Sequence, residues 1–363
     1  MKTKIILIVC VLIFLAGFGG CSRTQEVYAP ASVNPTATPA MTATPDVTPP
    51  NSGGDPSEAP AISVNTGSGI HGAIHRVTYG ENTAYIFGTI HGGMPDWFPL
   101  AEVVEDALRR ADVVLVEVDE IGLSPEAMMD AVMGAIFLPD GLTWVDLLPE
   151  EHYNHMVEMM DAWGVSYNDV NTMNPSYLVW QLNLSIAVSL SGLDVGVEAS
   201  VDSYIASVAA QRGLPVIGLE PIEQQLDILY NPPLEVLLAM IMHLHPPDVM
   251  VEAFLESGEL TLDEMAYFYA ANDFAPINDS FALIVGFDCP YMVYMQEMVM
   301  DWRSVFYANE IKRLLRETEE PTTFFAAVGL SHVIRSGAHE LFTDIIEQLT
   351  LAGFHPVPIW EQR

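Results

Sequence analysis

Two apolar runs of strand character end in the same element, a glycine, two further residues and a histidine. The first is AYIFGTIHGG, residues 84 to 93, with Gly88 and His91; the second is FFAAVGLSH, residues 324 to 332, with Gly329 and His332. A single Gly-x-x-His constrains little, because a pattern with two fixed letters arises often by chance. Two of them, each closing a run that reads as a buried strand, require a fold that presents both histidines at strand exits.

The segments between these runs say what kind of sheet that is. HRVTY at 75 to 79, a turn at Gly80-Glu81-Asn82 and the first Gly-x-x-His run form a hairpin. PLAEVVEDALRRAD follows, with apolar residues at 100, 103, 104, 107 and 108 on one helical face. It leads into VVLVEVD, residues 113 to 119, a continuous run of the type found in sheets buried on both faces. Strand, helix, strand is a parallel crossover.

A long helical region rich in methionine and aromatics comes next. It breaks at Pro175 and includes VDSYIASVAAQRG, ending on Gly213; PVIGLE, 215 to 220, is another short strand. Helices then run to about Arg316, followed by the second Gly-x-x-His strand, a helix over HELFTDIIEQLTLAG and a last strand, HPVPIW. The apolar stretch from Phe281 is interrupted by Asp288, Pro290 and Glu297, so a buried or lid helix is expected there and not a membrane span. The expected fold is α/β: a central, mainly parallel sheet flanked by helices, with a large helical insertion.

The N-terminus has a different character. Lys2 and Lys4 precede an uncharged apolar run from Ile5 to Phe18, then Gly19, Gly20 and Cys21. The run is short for a membrane span, and small residues before a cysteine resemble a lipobox. Residues 1–21 are expected to be a lipoprotein signal with Cys21 as the lipidated residue, which places the chain outside the cytoplasm on a membrane anchor. Residues 22–68, rich in Pro, Thr, Ala and Ser, form a disordered tether that extends by about 3.1 Å per residue, and residues 69–363 form the domain. With Cys10 lost and Cys21 acylated, Cys289 is expected to be a lone thiol. The 48 acidic residues against 13 basic ones exclude nucleic acid as a partner and leave membrane association to the lipid.

Ligands of open α/β sheets bind beyond the carboxyl ends of the strands. His91, Glu117, Glu220 and His332 stand at such ends, and parallel neighbouring strands bring them together. Two imidazoles and a carboxylate are the ligand set of a hydrolytic zinc-type site. Glu117 within VVLVEVD is costly without a partner; Asp119, two residues on, shares its strand face and is expected to support it. Gly88 and Gly329 permit close backbone approach. Arg303 sits among Val299, Met300, Phe306 and Tyr307 at helical spacing, so a guanidinium on an apolar face must meet an anion, either a carboxylate or a developing oxyanion. His152 with His155, and His243 with His245, are spaced as ligand pairs but bring no third ligand, and a surface or core role is expected for both. The chain has no Gly-x-Ser-x-Gly, no His-Glu-x-x-His and no phosphate-cradling loop.

YIFGTIHGG, VVLVEVD, RGLPVIGLEPIEQQLDIL, DWRSVFYANEIKRLL and FFAAVGLSHV, in this order, resemble the TraB/GumN family, whose animal relatives include the Tiki proteins. The resemblance implies a fold similar to the erythromycin esterase and ChaN-like proteins, with a sheet built from two related halves. Through the Tiki branch it implies a metal-dependent protease, manganese or cobalt favoured, in which both Gly-x-x-His motifs and a Glu are essential. The positions implicated are Gly88, His91, Glu117, Arg303, Gly329 and His332. The chain departs from the family in having Ser304 where Asn is usual, Val333-Ile334-Arg335 with its glycine only at Gly337, and Glu198 at a common Asp. A metal-dependent hydrolase acting on peptides is the leading expectation. The alternatives are a metal-independent esterase-like hydrolase, and a non-catalytic binder of a peptide pheromone or haem.

Overall fold

The structure is a computed structural model that describes residues 70–94, 97–118, 124–191, 200–283, 289–335 and 342–359. Cys21, the tether, Asp119, Glu198 and Gly337 lie outside these residues.

Six strands form one sheet: β1 (Ile74–Tyr79), β2 (Asn82–Thr89), β3 (Val113–Val116), β4 (Val216–Gly218), β5 (Thr323–Gly329) and β6 (Val357–Pro358), in the order β4-β3-β5-β2-β1-β6. Strands β4, β3, β5 and β2 pair in parallel. β1 is antiparallel to both β2 and β6, so it runs against the rest. The sheet is therefore mixed, and the expected hairpin and parallel crossover are both present. β5 lies between the strands that precede and follow the first helix, and it is buried from Phe324 to Gly329, in keeping with its unbroken apolar sequence.

Helices α1 (Glu102–Arg110) and α2 (Val201–Arg212) pack against β5. They are tied together by Arg212, which donates to the carbonyls of Leu108 and Ala111, and by Tyr204, which donates to Glu105. α3 (Ile222–Tyr230) leaves the end of β4. α4 (Arg303–Glu317) lies against β1 and β2, followed by α5 (Ser331–Ile334) and α6 (Ile345–Leu351). α6 starts later than the sequence pattern indicates, because Asp344 caps it by accepting from the Glu347 N–H at 2.8 Å.

The helices inserted between β3 and β5 carry a hydrophobic core of their own, built around Trp144, Met156, Met160, Trp180, Met240 and Met292. Met156, Met160, Met240 and Met292 are thus core fillers, a role suited to an unbranched, adaptable side chain. The helix expected around Pro175 begins at it, capped by Asn174. Among the described residues no single helix is long and apolar enough to cross a membrane. Cys289 is buried and disulfide-bonded, its partner falling outside the described residues.

Strand ends differ from the sequence pattern where charge enters. VVLVEVD reads as strand through 119, but β3 stops at Val116; the Glu117 side chain turns to Arg303, and its backbone carbonyl still accepts from Glu220 N–H.

Candidate functional site

Because β4, β3, β5 and β2 run parallel, their carboxyl ends share one edge of the sheet, and the four expected residues come directly after those ends: Glu220 after β4, Glu117 after β3, His332 after β5 and His91 after β2. The ladder continues past the strands, Glu220 N–H donating to the Glu117 carbonyl at 2.9 Å and Leu330 N–H to the Thr89 carbonyl at 2.7 Å. The second of these bonds joins the two Gly-x-x-His elements. A Cβ on Gly88 would meet Leu330 Cδ1 at 2.7 Å and Leu330 Cα at 3.2 Å, so the first glycine makes room for the backbone of the second motif.

Glu117 is at the centre. Its Oε1 accepts the Gly329 N–H at 2.7 Å and its Oε2 accepts from Arg303 Nη2 at 2.7 Å. Burial alone would raise its pKa, but Arg303, His332 and His91, with the Gly329 N–H, outweigh that and hold it at about 2.

Arg303 is fully buried. Its Nε and Nη2 donate to Glu220 Oε1 at 2.8 and 2.6 Å, and Nη2 also contacts the hydroxyl of Tyr307. Tyr307 in turn donates to Glu220 Oε1 at 2.5 Å. Of the two anions that sequence left open for Arg303, the structure supplies carboxylates, and two of them. The remaining nitrogen, Nη1, is buried with no partner among the described residues.

His91 meets Asp202 Oδ2 through Nδ1 at 3.0 Å, and Asp202 Oδ1 accepts from the Thr89 hydroxyl at 2.6 Å. Burial pushes the His91 pKa down, but Asp202, by charge and hydrogen bond, and then Glu117 overcome it and raise the value to about 9. His332 has the opposite balance. It is fully buried, its Nδ1 lies 2.8 Å from Ser304 Oγ, and the Tyr307 ring packs against it edge-on at 5.1 Å. Burial depresses its pKa to about 3, Glu117 opposing and Arg303 and Arg335 assisting. Its Nε2 is buried without a partner among the described residues.

A run of π-helix, Met295–Trp302, leads into α4. Such segments recur at functional sites. Here it sets up one turn from which Arg303, Ser304 and Tyr307 all reach the site, while Asp301 holds the buried Arg335 at 2.5 Å. Gln225 on α3 adds donors to Glu117 and Glu220 at 3.4 and 3.3 Å.

Sequence reasoning found His91, Glu117, Glu220, Arg303 and His332, and missed Asp202, Tyr307 and Gln225. Ser304 stood out only as a departure from the family. An acid in the first turn, like Asp202, is what any helix start favours, so nothing marked it. Tyr307 read as part of the apolar face around Arg303. Of the two spaced pairs, His155 and His243 serve the insertion, donating to the backbone carbonyls of Leu244 and Ala239.

As a metal site, the donors suit a divalent cation in kind: two imidazoles braced through Nδ1, a carboxylate between them, and an orphaned buried nitrogen on His332. Among the described residues, no group of three or more His, Cys, Asp or Glu is spaced to hold a metal.

The TraB/PrgY/gumN family model matches residues 73–350. The uncharacterized protein YbaP of Shigella flexneri is 25% identical over 155 residues, 42% of this chain and 54% of the relative, and YbaP of Escherichia coli K12 matches with the same figures. The chain thus spans about half the length of the curated relatives it matches. No solved structure matches it. With the family model covering both Gly-x-x-His elements, Glu117, Glu220 and Arg303, the chain belongs to the TraB/PrgY/gumN family.

Proposed function

We propose that the chain is a lipid-anchored, extracytoplasmic, metal-dependent hydrolase acting on peptides, with its centre at His91, His332 and Glu117. The observation that carries this reading is a pair of buried atoms without partners among the described residues, His332 Nε2 and Arg303 Nη1, on side chains that both bear on Glu117. Buried polar atoms are almost always paired, so an acceptor and a donor left open beside one carboxylate mark where a ligand belongs. His91 and His332 would hold the metal, manganese or cobalt favoured and zinc also suited, with Glu117 as third ligand or general base. When bound, a divalent ion supplies Lewis acidity and lowers the pKa of water to about 7.

The chain's own groups do the rest. Arg303 Nη1 donates to the substrate oxygen on which negative charge develops, and Glu220 with Tyr307 holds the guanidinium for that task. Glu117, ionised down to about pH 2, receives the proton of the attacking water. Asp202 fixes the His91 ring. We also infer that β2 and β5, adjacent, parallel and each carrying a Gly-x-x-His, are the corresponding strands of two related halves.

A second reading keeps the site without a metal. It is favoured by the opposite charge states of the two histidines, His91 raised to about 9 and His332 lowered to about 3, which is the division between an acid and a base. Elemental analysis after loading with manganese, cobalt or zinc, on the full chain and on its His91→Ala and His332→Ala variants, decides between them. About one metal per chain, lost in both variants together with peptide cleavage, supports the first reading. Cleavage that survives a chelator supports the second, and retained cleavage in both variants overturns both.

A further inference from the structure

The bond between Ser304 and His332 has a direction that hydrogen counting settles. A serine hydroxyl carries one hydrogen and accepts at its lone pairs. Ser304 Oγ lies 2.9 Å from the carbonyl of Met300, one turn back, and donates its hydrogen there. What remains for His332 Nδ1, 2.8 Å from the same oxygen, is to donate. Both residues are fully buried, so no solvent exchange of partners blurs the arrangement. Edge-on packing by Tyr307 restrains the ring plane, and Ser331, beside His332, donates to the sulfur of Met300, tying α5 to the same turn.

We propose that Ser304 is a positioning residue that locks His332 in the Nδ1–H tautomer, leaving the lone pair on Nε2. This deepens the hydrolase reading, since a ring nitrogen that is to bind a metal or take a proton must present a lone pair. It also gives Ser304 a role in place of the Asn usual in the family: a single hydroxyl, oriented by the helix carbonyl behind it, is a pure acceptor toward the ring.

Histidine-selective 15N labelling of the full-length chain, without metal and at neutral pH, reports the tautomer through long-range 1H–15N correlations, with His332→Gln assigning the signal. The expected pattern is a protonated, pyrrole-type Nδ1 and an unprotonated, pyridine-type Nε2, lost to the reverse or to a mixture in Ser304→Ala. A pyridine-type Nδ1 in the unaltered chain overturns the proposal without need of any variant, as does an unchanged pattern in a folded Ser304→Ala. The readout is independent of turnover: the expected tautomer in a chain that cleaves nothing sinks the hydrolase and leaves Ser304 its role, whereas cleavage with the reverse tautomer does the opposite.

Discussion

The backbone N–H of Gly329 donates to Glu117 Oε1 at 2.7 Å, so the strand that carries the second histidine holds the carboxylate delivered by its neighbour. Glu117 is thereby fixed from two sides, by the Gly329 amide and by Arg303 on α4, and its position depends on the order of the strands as much as on its own. The two Gly-x-x-His elements are one construction, joined through Leu330 and Thr89 and closed over Gly88.

That closure makes Gly88 sensitive to a single methyl group. A Cβ there would stand 2.7 Å from Leu330 Cδ1, which can rotate, and 3.2 Å from Leu330 Cα, which cannot move without shifting the second motif. Gly88→Ala is expected to cost about 1–3 kcal/mol by overpacking, measured as a lowered urea midpoint. A midpoint equal to that of the unaltered chain would show that the two motifs do not press on each other.

The convergence of His91, Glu117, Glu220 and His332 was legible because each comes at the end of a strand-like run, and parallel strands deliver their exit residues to one edge. The strand order was not legible. Chain order gives a crossover from β2 to β3 and says nothing of β5, far along the sequence, entering between them. Arg303 was visible as a charge among apolar neighbours, but its two carboxylate partners come from different strands and only the fold unites them. Ser304 and Asp202 act through contacts with other elements, and no local pattern distinguishes them from an ordinary helix serine and an ordinary first-turn acid.

Removing the Arg303 guanidinium strands two carboxylates. Arg303→Met keeps much of the volume and leaves Glu117 and Glu220 without their shared cation, so a loss of about 3–5 kcal/mol is expected. Arg303→Lys, a point charge without the fork that reaches both acids, should fall between. Glu220→Gln should cost less than Arg303→Met, because Arg303 keeps Glu117. Denaturant titration ranks the three, and Arg303→Met as stable as the unaltered chain would refute the account of this cluster.

The lipid anchor and the disulfide of Cys289 compete. A chain processed at an acylated Cys21 has lost Cys10 and has no thiol left to pair with Cys289. The proposed anchor therefore predicts acylated Cys21 and a free Cys289 in the membrane-extracted protein, the disulfide being confined to the unprocessed chain. Alkylation without reduction, followed by peptide mass spectrometry, checks this. A disulfide-linked Cys289 in the mature protein would exclude the anchor.

The pH dependence of stability comes from the same unequal pair of histidines. His91 binds its proton more tightly folded, at about 9, than unfolded, at about 6.5. Its contribution is full below 6.5 and is lost as pH rises through 9. His332, at about 3, and His75, at about 4, bind theirs less tightly folded, so theirs is full above 6.5 and is lost as pH falls toward those values. Glu117, depressed from 4.5 to about 2, adds its loss only at lower pH. The metal-free protein is thus expected to be most stable near pH 6.5. Asp202→Asn removes the main group that raises the His91 value and should flatten the alkaline limb, whereas His75→Gln should flatten part of the acid limb and leave the alkaline one alone. Denaturation across pH 4 to 9, compared variant against parent, cancels the common effect of the −35 net charge. An alkaline limb unchanged in Asp202→Asn would mean that the His91–Asp202 pair does not set it.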